Sequence, residues 1–147
     1  MNNDKLTSEE LAVWHMWKSV YHTIYGRILK DVSEQTDLSE GDFDVLSRLV
    51  DLGNGVLRQQ QLADSMKWDK SRLSHHLTRM EKRGLITRQP LEAERGVQVV
   101  ITQAGSVAYG HARPVHTKAV REHLLSHLTV EDLVLLVNLQ DIADPEV

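Results

Sequence analysis

The chain has 147 residues, 41% of them apolar, with no cysteine and a formal charge of −4, which suits one domain with a real core and excludes disulfides, thiolate metal sites and cysteine redox sensing. No run of about 20 apolar residues and no basic-then-apolar leader is present, so neither a membrane span nor a secretory signal is expected and the chain reads as cytoplasmic. Charge is unevenly spread: residues 58–100 hold nine Lys and Arg against five Asp and Glu, and the remainder eight against sixteen, so an acidic body carries a basic middle, as in a DNA reader whose docking face alone neutralises phosphates.

Three hydroxyls each stand three residues before a carboxylate and just ahead of an apolar-periodic run: Thr7 with Glu10, Ser39 with Asp42, and Thr129 with Asp132. These are capping boxes, two of them with Asp in place of the more usual Glu or Gln. The first predicted helix runs from about Ser8 to Val32, with Leu11, Trp14, Tyr21, Tyr25, Ile28 and Val32 on one stripe. "TDLSEGD" breaks it, and Phe43, Leu46, Leu49 and Val50 mark the second. After the loop signal Gly-Asn-Gly in "DLGNGV", Leu62, Ala63 and Met66 predict a third helix of about two turns.

A fourth helix follows in "WDKSRLSHHLTRMEKRGLITR". Asp69 is placed to cap it, Leu73, Leu77 and Met80 form its buried stripe, and Gly84 stops it. "LITRQ" and "VQVVIT", joined by the polar "PLEAERG", then read as a β-hairpin. Thr102 caps a fifth helix from Gln103 to about His127, which Pro114 is expected to kink or divide, and a last helix spans about Val130 to Ile142.

Two short helices followed at once by a hairpin make a winged helix-turn-helix, whose second short helix enters the major groove while the hairpin tip reaches backbone or minor groove. With Leu73, Leu77 and Met80 inward, Ser71, Arg72, His75, Thr78, Arg79 and Lys82 face outward, and none is a carboxylate. Arg72 and Arg79 suit bidentate contact to guanine, and Ser71, His75 and Thr78 suit base edges or phosphates. Lys70, Lys82 and Arg83, nearer the ends, suit phosphates. His76 falls towards the flank. At the hairpin turn, Arg95 beside Gly96 is where a wing sends a cation into a narrow minor groove, with Glu92 or Glu94 as the carboxylate to pair with it and aim it. The plainer alternatives are a solvated basic face and an ordinary polar turn.

Together, "LSEGDFDVLSRL", "QQLADSMKWDKSRLSHHLTRMEKRGLITR" and "RGVQVVITQAG" resemble the MarR family of winged-helix regulators over about residues 38–106. The resemblance implies a mainly α (α+β) fold: a winged helix-turn-helix with flanking N- and C-terminal dimerisation helices. It implies a single MarR-like domain over 1–147, with an N-terminal dimerisation and ligand-crevice helix at 8–37, a DNA-binding lobe at 38–101 and C-terminal dimerisation helices at 102–147. It further implies an obligate homodimer intertwined through the first, fifth and sixth helices. Lys70, Ser71, Arg72, Ser74, His75 and Arg79 then belong to the recognition helix and Arg95 to the wing tip. The wing departs from the family's frequent Asp-x-Arg tip, reading "EAERG" and looking short.

Family members of this kind bind small phenolic or other aromatic anions, and Trp14, His15, Trp17, Tyr21, Phe43 and His111 are the residues for such a crevice, with dimer core as the alternative reading of the aromatic stripe. His123 and His127, four apart on a helix, with His111 and His116 upstream, raise metal sensing as a rival, but the ligand set is poor and no metal or cofactor is expected. Enzyme motifs are lacking: "EHLLSH" has its Glu before the first His, and no phosphate loop, Gly-x-Ser-x-Gly or Cys nucleophile occurs. The reading is a homodimeric repressor of a pseudo-palindromic operator on double-stranded DNA, released by a small aromatic effector. The alternatives are a metal-responsive regulator of the same fold and a winged-helix module for protein partners.

Overall fold

A computed structural model describes residues 4–144. Its elements are α1 (Ser8–Gln35), α2 (Glu40–Asp51), β1 (Val56–Arg58), α3 (Gln59–Met66), α4 (Lys70–Lys82), β2 (Ile86–Pro90), β3 (Val97–Ile101), α5 (Gln103–His123), a 3₁₀ turn (Leu125–His127) and α6 (Val130–Ala143). The fold is mainly helical with one small antiparallel sheet. The described residues separate into two compact units, residues 29–116 and the two terminal segments 4–28 and 117–144.

All three capping boxes form. Side chain and backbone exchange hydrogen bonds of 2.8 and 3.2 Å between Thr7 and Glu10, 2.9 and 3.2 Å between Ser39 and Asp42, and 2.8 and 3.2 Å between Thr129 and Asp132. Each satisfies two N–H groups that a helix start leaves without partners. α1 runs three residues past the expected Val32, and α5 holds Pro114 within one helix, ending at His123. Thr102 caps α5 by accepting from the Gly105 N–H at 3.0 Å while donating to the Gly84 carbonyl.

In the 29–116 unit, α2, α3 and α4 surround a core of Val32, Val45, Leu46, Leu49, Leu62, Leu73, Leu77, Met80 and Val99, each fully buried. Withdrawing such side chains from water stabilises by about 1.5–3 kcal/mol apiece. The sheet order is β1-β3-β2. β1, unexpected from the sequence, pairs Val56 with Val100 and Arg58 with Gln98, and β2 pairs Ile86 with Ile101 and Pro90 with Val97. Pro90 is tolerated because it ends an edge strand.

In the terminal unit, α1 up to Ile28 and α6 expose large apolar side chains. Trp14, Met16, Trp17 and Val20 are open on α1, and the five consecutive residues Leu133 to Val137 are 43–59% exposed on α6. No helix among the described residues is long and apolar enough to cross a membrane.

Candidate DNA-reading interface

α4 is defined by local chemistry at both ends. Asp69, extended at φ −67° and ψ 156°, accepts the Arg72 N–H at 2.8 Å and so starts the helix. At the far end Gly84 takes φ 74°, its N–H donating to Glu81 and that of Leu85 to Met80. This left-handed stop favours glycine and turns the chain straight into β2. Between the ends Leu73, Leu77 and Met80 are fully buried, while Lys70, Ser71, Arg72, His75, Arg79 and Lys82 are exposed.

The two arginines on that face are held. The Arg72 guanidinium lies 3.8 Å from the centre of the Trp68 ring, a cation–π contact that holds the side chain against the ring. Nη2 of Arg79 is 3.1 Å from Nδ1 of His76. Ser74 and Thr78 are half-buried and belong to a different bond set. Arg88 of β2 donates to Thr78 Oγ1 at 2.8 Å and reaches Ser74 Oγ at 3.5 Å, so Ser74 serves as much to join wing to helix as to face outward. The same guanidinium bridges to Glu81 at 3.1 Å. The Arg88 amide above all, helped by its guanidinium, holds the Glu81 carboxyl below its usual range even though burial opposes them. That carboxylate, on the same helix as the basic face, is thereby neutralised.

Two expectations need correcting. Arg83, assigned to phosphate, is tied to the protein although still partly exposed: Nη1 pairs with Asp42 Oδ2 at 2.5 Å and Nη2 donates to the Asp37 carbonyl at 2.6 Å. Glu94 does not aim Arg95, because it pairs with Arg58 at 2.5 Å and ties the wing to the start of α3. Arg95 is exposed on the 91–96 loop beside Gly96, whose φ is 137°.

The aromatic residues expected at a crevice are distributed differently. Phe43 is in the core, stacked on His116 at 4.4 Å and tilted against Tyr109 at 5.5 Å, so its ring is no open wall. Burial depresses the pKa of His116, with Asp44 opposing. His111 lines a cleft of about 590 Å³ with Gln35, Thr36, Leu38, Ala104 and Ala108. His15, Trp17 and Tyr21 line a shallow groove along α1, where Trp14 lies under the Lys18 ammonium at 5.1 Å. Among the described residues no three His, Asp or Glu side chains gather to hold a metal, and Nε2 of His127 lies 3.0 Å from the Glu122 carbonyl.

Sequence reasoning missed Arg88 and underrated Asp42, His76 and Trp68. The only signal for Asp42 was its odd place in a capping box, where Asp replaces the usual longer acid.

The sequence profile of the MarR family matches residues 38–95. Among solved structures, AbsC, a MarR family transcriptional regulator from Streptomyces coelicolor, is 32% identical with 97% of each chain covered and a TM-score of 0.88. Sco3205 from the same organism, a MarR family transcriptional regulator solved in complex with DNA, is 26% identical over 95% of this chain and 91% of its own, with a TM-score of 0.87. A cysteine-to-serine mutant of MarR from E. coli, solved with operator DNA, shares the fold at a TM-score of 0.80 and 19% identity, covering 97% of this chain and 100% of its own. No curated protein gives a significant match.

Proposed function

The chain belongs to the MarR family of DNA-binding transcriptional regulators, which are not enzymes, and from that premise we propose that it acts as a homodimeric repressor of a pseudo-palindromic operator. The observation that carries this is the outer face of α4, where Lys70, Ser71, Arg72, His75 and Arg79 are exposed together with no carboxylate among them. Arg72 and Arg79 read base edges, Lys70 and Ser71 contact phosphate, His75 and Ser74 complete the face, and Arg95 reaches from the wing into the flanking groove. The exposed apolar surface of α1 and α6 supports pairing with a second copy, within which helices at 8–37 and 102–147 dimerise and 38–101 reads DNA.

Two copies place two α4 helices on successive major grooves, about 34 Å apart. An effector that favours another separation lowers DNA affinity. The α1 groove of His15, Trp17 and Tyr21, with Trp14 beside it, has the mixed aromatic and polar lining for a small aromatic anion, while the cleft beside His111 has the size for one but is also lined by the carboxylates of Glu34 and Asp37. Phe43, buried in the core, contributes packing only.

The test is selection of duplexes from a random library by the full-length protein, followed by anisotropy on the winner against a scrambled duplex over a salt series. A two-fold symmetric winner bound about a thousandfold more tightly than the scrambled duplex is expected. Equal weak binding to every sequence overturns the reading. Arg72→Ala or Arg79→Ala should cost about 1–3 kcal/mol at one position per half-site, and an even loss on all sequences would show a phosphate contact in its place. Arg95→Ala should weaken binding with a smaller salt slope; an unchanged slope removes Arg95 from the backbone contacts.

A further inference from the structure

Behind the exposed face of α4 lies a polar pair that solvent hardly reaches: Asp42 is 2% exposed and His76 9%. The His76 ring meets the edge of Trp68 at 5.5 Å, and Trp68 is the ring on which Arg72 lies. From α2 the site is closed by Gly41, where a Cβ would stand 2.8 Å from His76 Cε1 and 3.1 Å from Trp68. A guanidinium only donates, so Nδ1 of His76 accepts from Arg79 and the ring is the neutral Nε2–H tautomer. That second nitrogen lies 3.0 Å from Asp42 Oδ1, somewhat off the hydrogen-bonding direction. Asp42 is fixed in turn by the Ser39 N–H and the Arg83 guanidinium.

We infer that Asp42 and His76 are positioning residues that set the base preference of Arg79 from behind, although neither is exposed enough to touch DNA. Asp42 fixes the tautomer and place of the imidazole, as a carboxylate does for an orienting histidine. His76 takes one of the five N–H groups of Arg79 and leaves the others pointing outward in one arrangement. A guanidinium already held loses less freedom on docking and matches one base geometry better than others. The inference rests on the reading of α4 as the DNA reader.

The test repeats the random-duplex selection with wild type, His76→Phe, His76→Gln and Arg79→Ala, using thermal melting to check that each full-length variant folds. Phe keeps a ring against Trp68 and loses the acceptor, whereas the amide oxygen of Gln restores it. His76→Phe is expected to lose about tenfold in enrichment at the half-site position that Arg79→Ala also loses, with other positions unchanged and His76→Gln close to wild type. Wild-type preferences in a folded His76→Phe protein overturn the inference, as does a loss spread evenly over all positions. If His76→Phe does not fold, Asp42→Asn decides in its place: enrichment should fall at the Arg79 position more than elsewhere, and a uniform response overturns the inference. Wild type that enriches no sequence defeats the DNA-reading proposal itself; wild type that enriches an operator matched by His76→Phe defeats this inference alone.

Discussion

Replacing Asp42 with alanine should lower the unfolding free energy by about 3 kcal/mol, the low end of the range for breaking a buried ion pair. The carboxylate is 2% exposed and faces three groups: the Ser39 N–H at 2.9 Å, Arg83 at 2.5 Å and His76 at 3.0 Å. Its loss removes half of a capping box, worth about 1 kcal/mol, and takes from the buried His76 Nε2 the carboxylate 3.0 Å away, a contact off the hydrogen-bonding direction and so at the low end of about 1–3 kcal/mol. Arg83, 43% exposed at its side chain, can return to water, so its share is small. Burial by itself would raise the Asp42 pKa, but His76, Arg83 and Ser39 together outweigh it and hold the carboxyl well below the usual carboxylate range. A carboxyl with a depressed folded pKa gives stability that is complete above its unfolded value of about 3.9 and drains away as pH falls through the folded value. Wild type should therefore lose stability steadily in acid, and Asp42→Asn should flatten that limb while starting from a lower plateau. Denaturant melts at fixed protomer concentration, pH by pH, make the measurement. A cost below about 0.5 kcal/mol would mean that the contacts around Asp42 behave as a surface pair.

What was legible in the sequence was what neighbouring residues decide. The Asp69 cap, the Leu73, Leu77 and Met80 stripe, the Gly84 stop and the three capping boxes all act over one or two turns, and period and residue type reveal them. β1 was invisible because its three residues have no pattern of their own and become a strand only by pairing with β3, some 40 positions on. Arg83 looked like a phosphate ligand for a similar reason. Nothing near it in sequence shows that Asp42, 41 residues earlier, is buried within reach. The outward face of α4 followed from helical geometry, yet the fixing of Arg72 on Trp68 and of Arg79 on His76 depends on rotamers. Phe43 failed as a crevice residue because apolar periodicity gives the same signal for core and for ligand wall.

Placing two carboxylates on one stripe of α6, as Leu133→Glu with Val137→Glu, should weaken self-association at least a thousandfold, about 4 kcal/mol. Leu133, Val134, Leu135, Leu136 and Val137 follow one another around the helix and remain 43–59% exposed in the single chain. A helix that is apolar all round needs cover on every side. The second copy of the proposed dimer supplies that cover. In the proposed dimer the double variant would bring four new carboxylates into apolar surroundings, each costing several kcal/mol unless it stays protonated or finds a cation. The 29–116 unit holds its own core, so α4 should keep its helical signature and its fully buried Leu73 and Leu77. The result to expect by sedimentation velocity is a folded or partly folded monomer where wild type is a dimer. Anisotropy should then show the selected operator bound only weakly, since one half-site gives about half the contacts and the linkage between two sites is lost. Operator affinity that survives in a monomer would separate DNA reading from dimerisation. A variant that remains dimeric would show that another face joins the copies, with α1, where Trp14, Met16, Trp17 and Val20 are exposed, as the next to test.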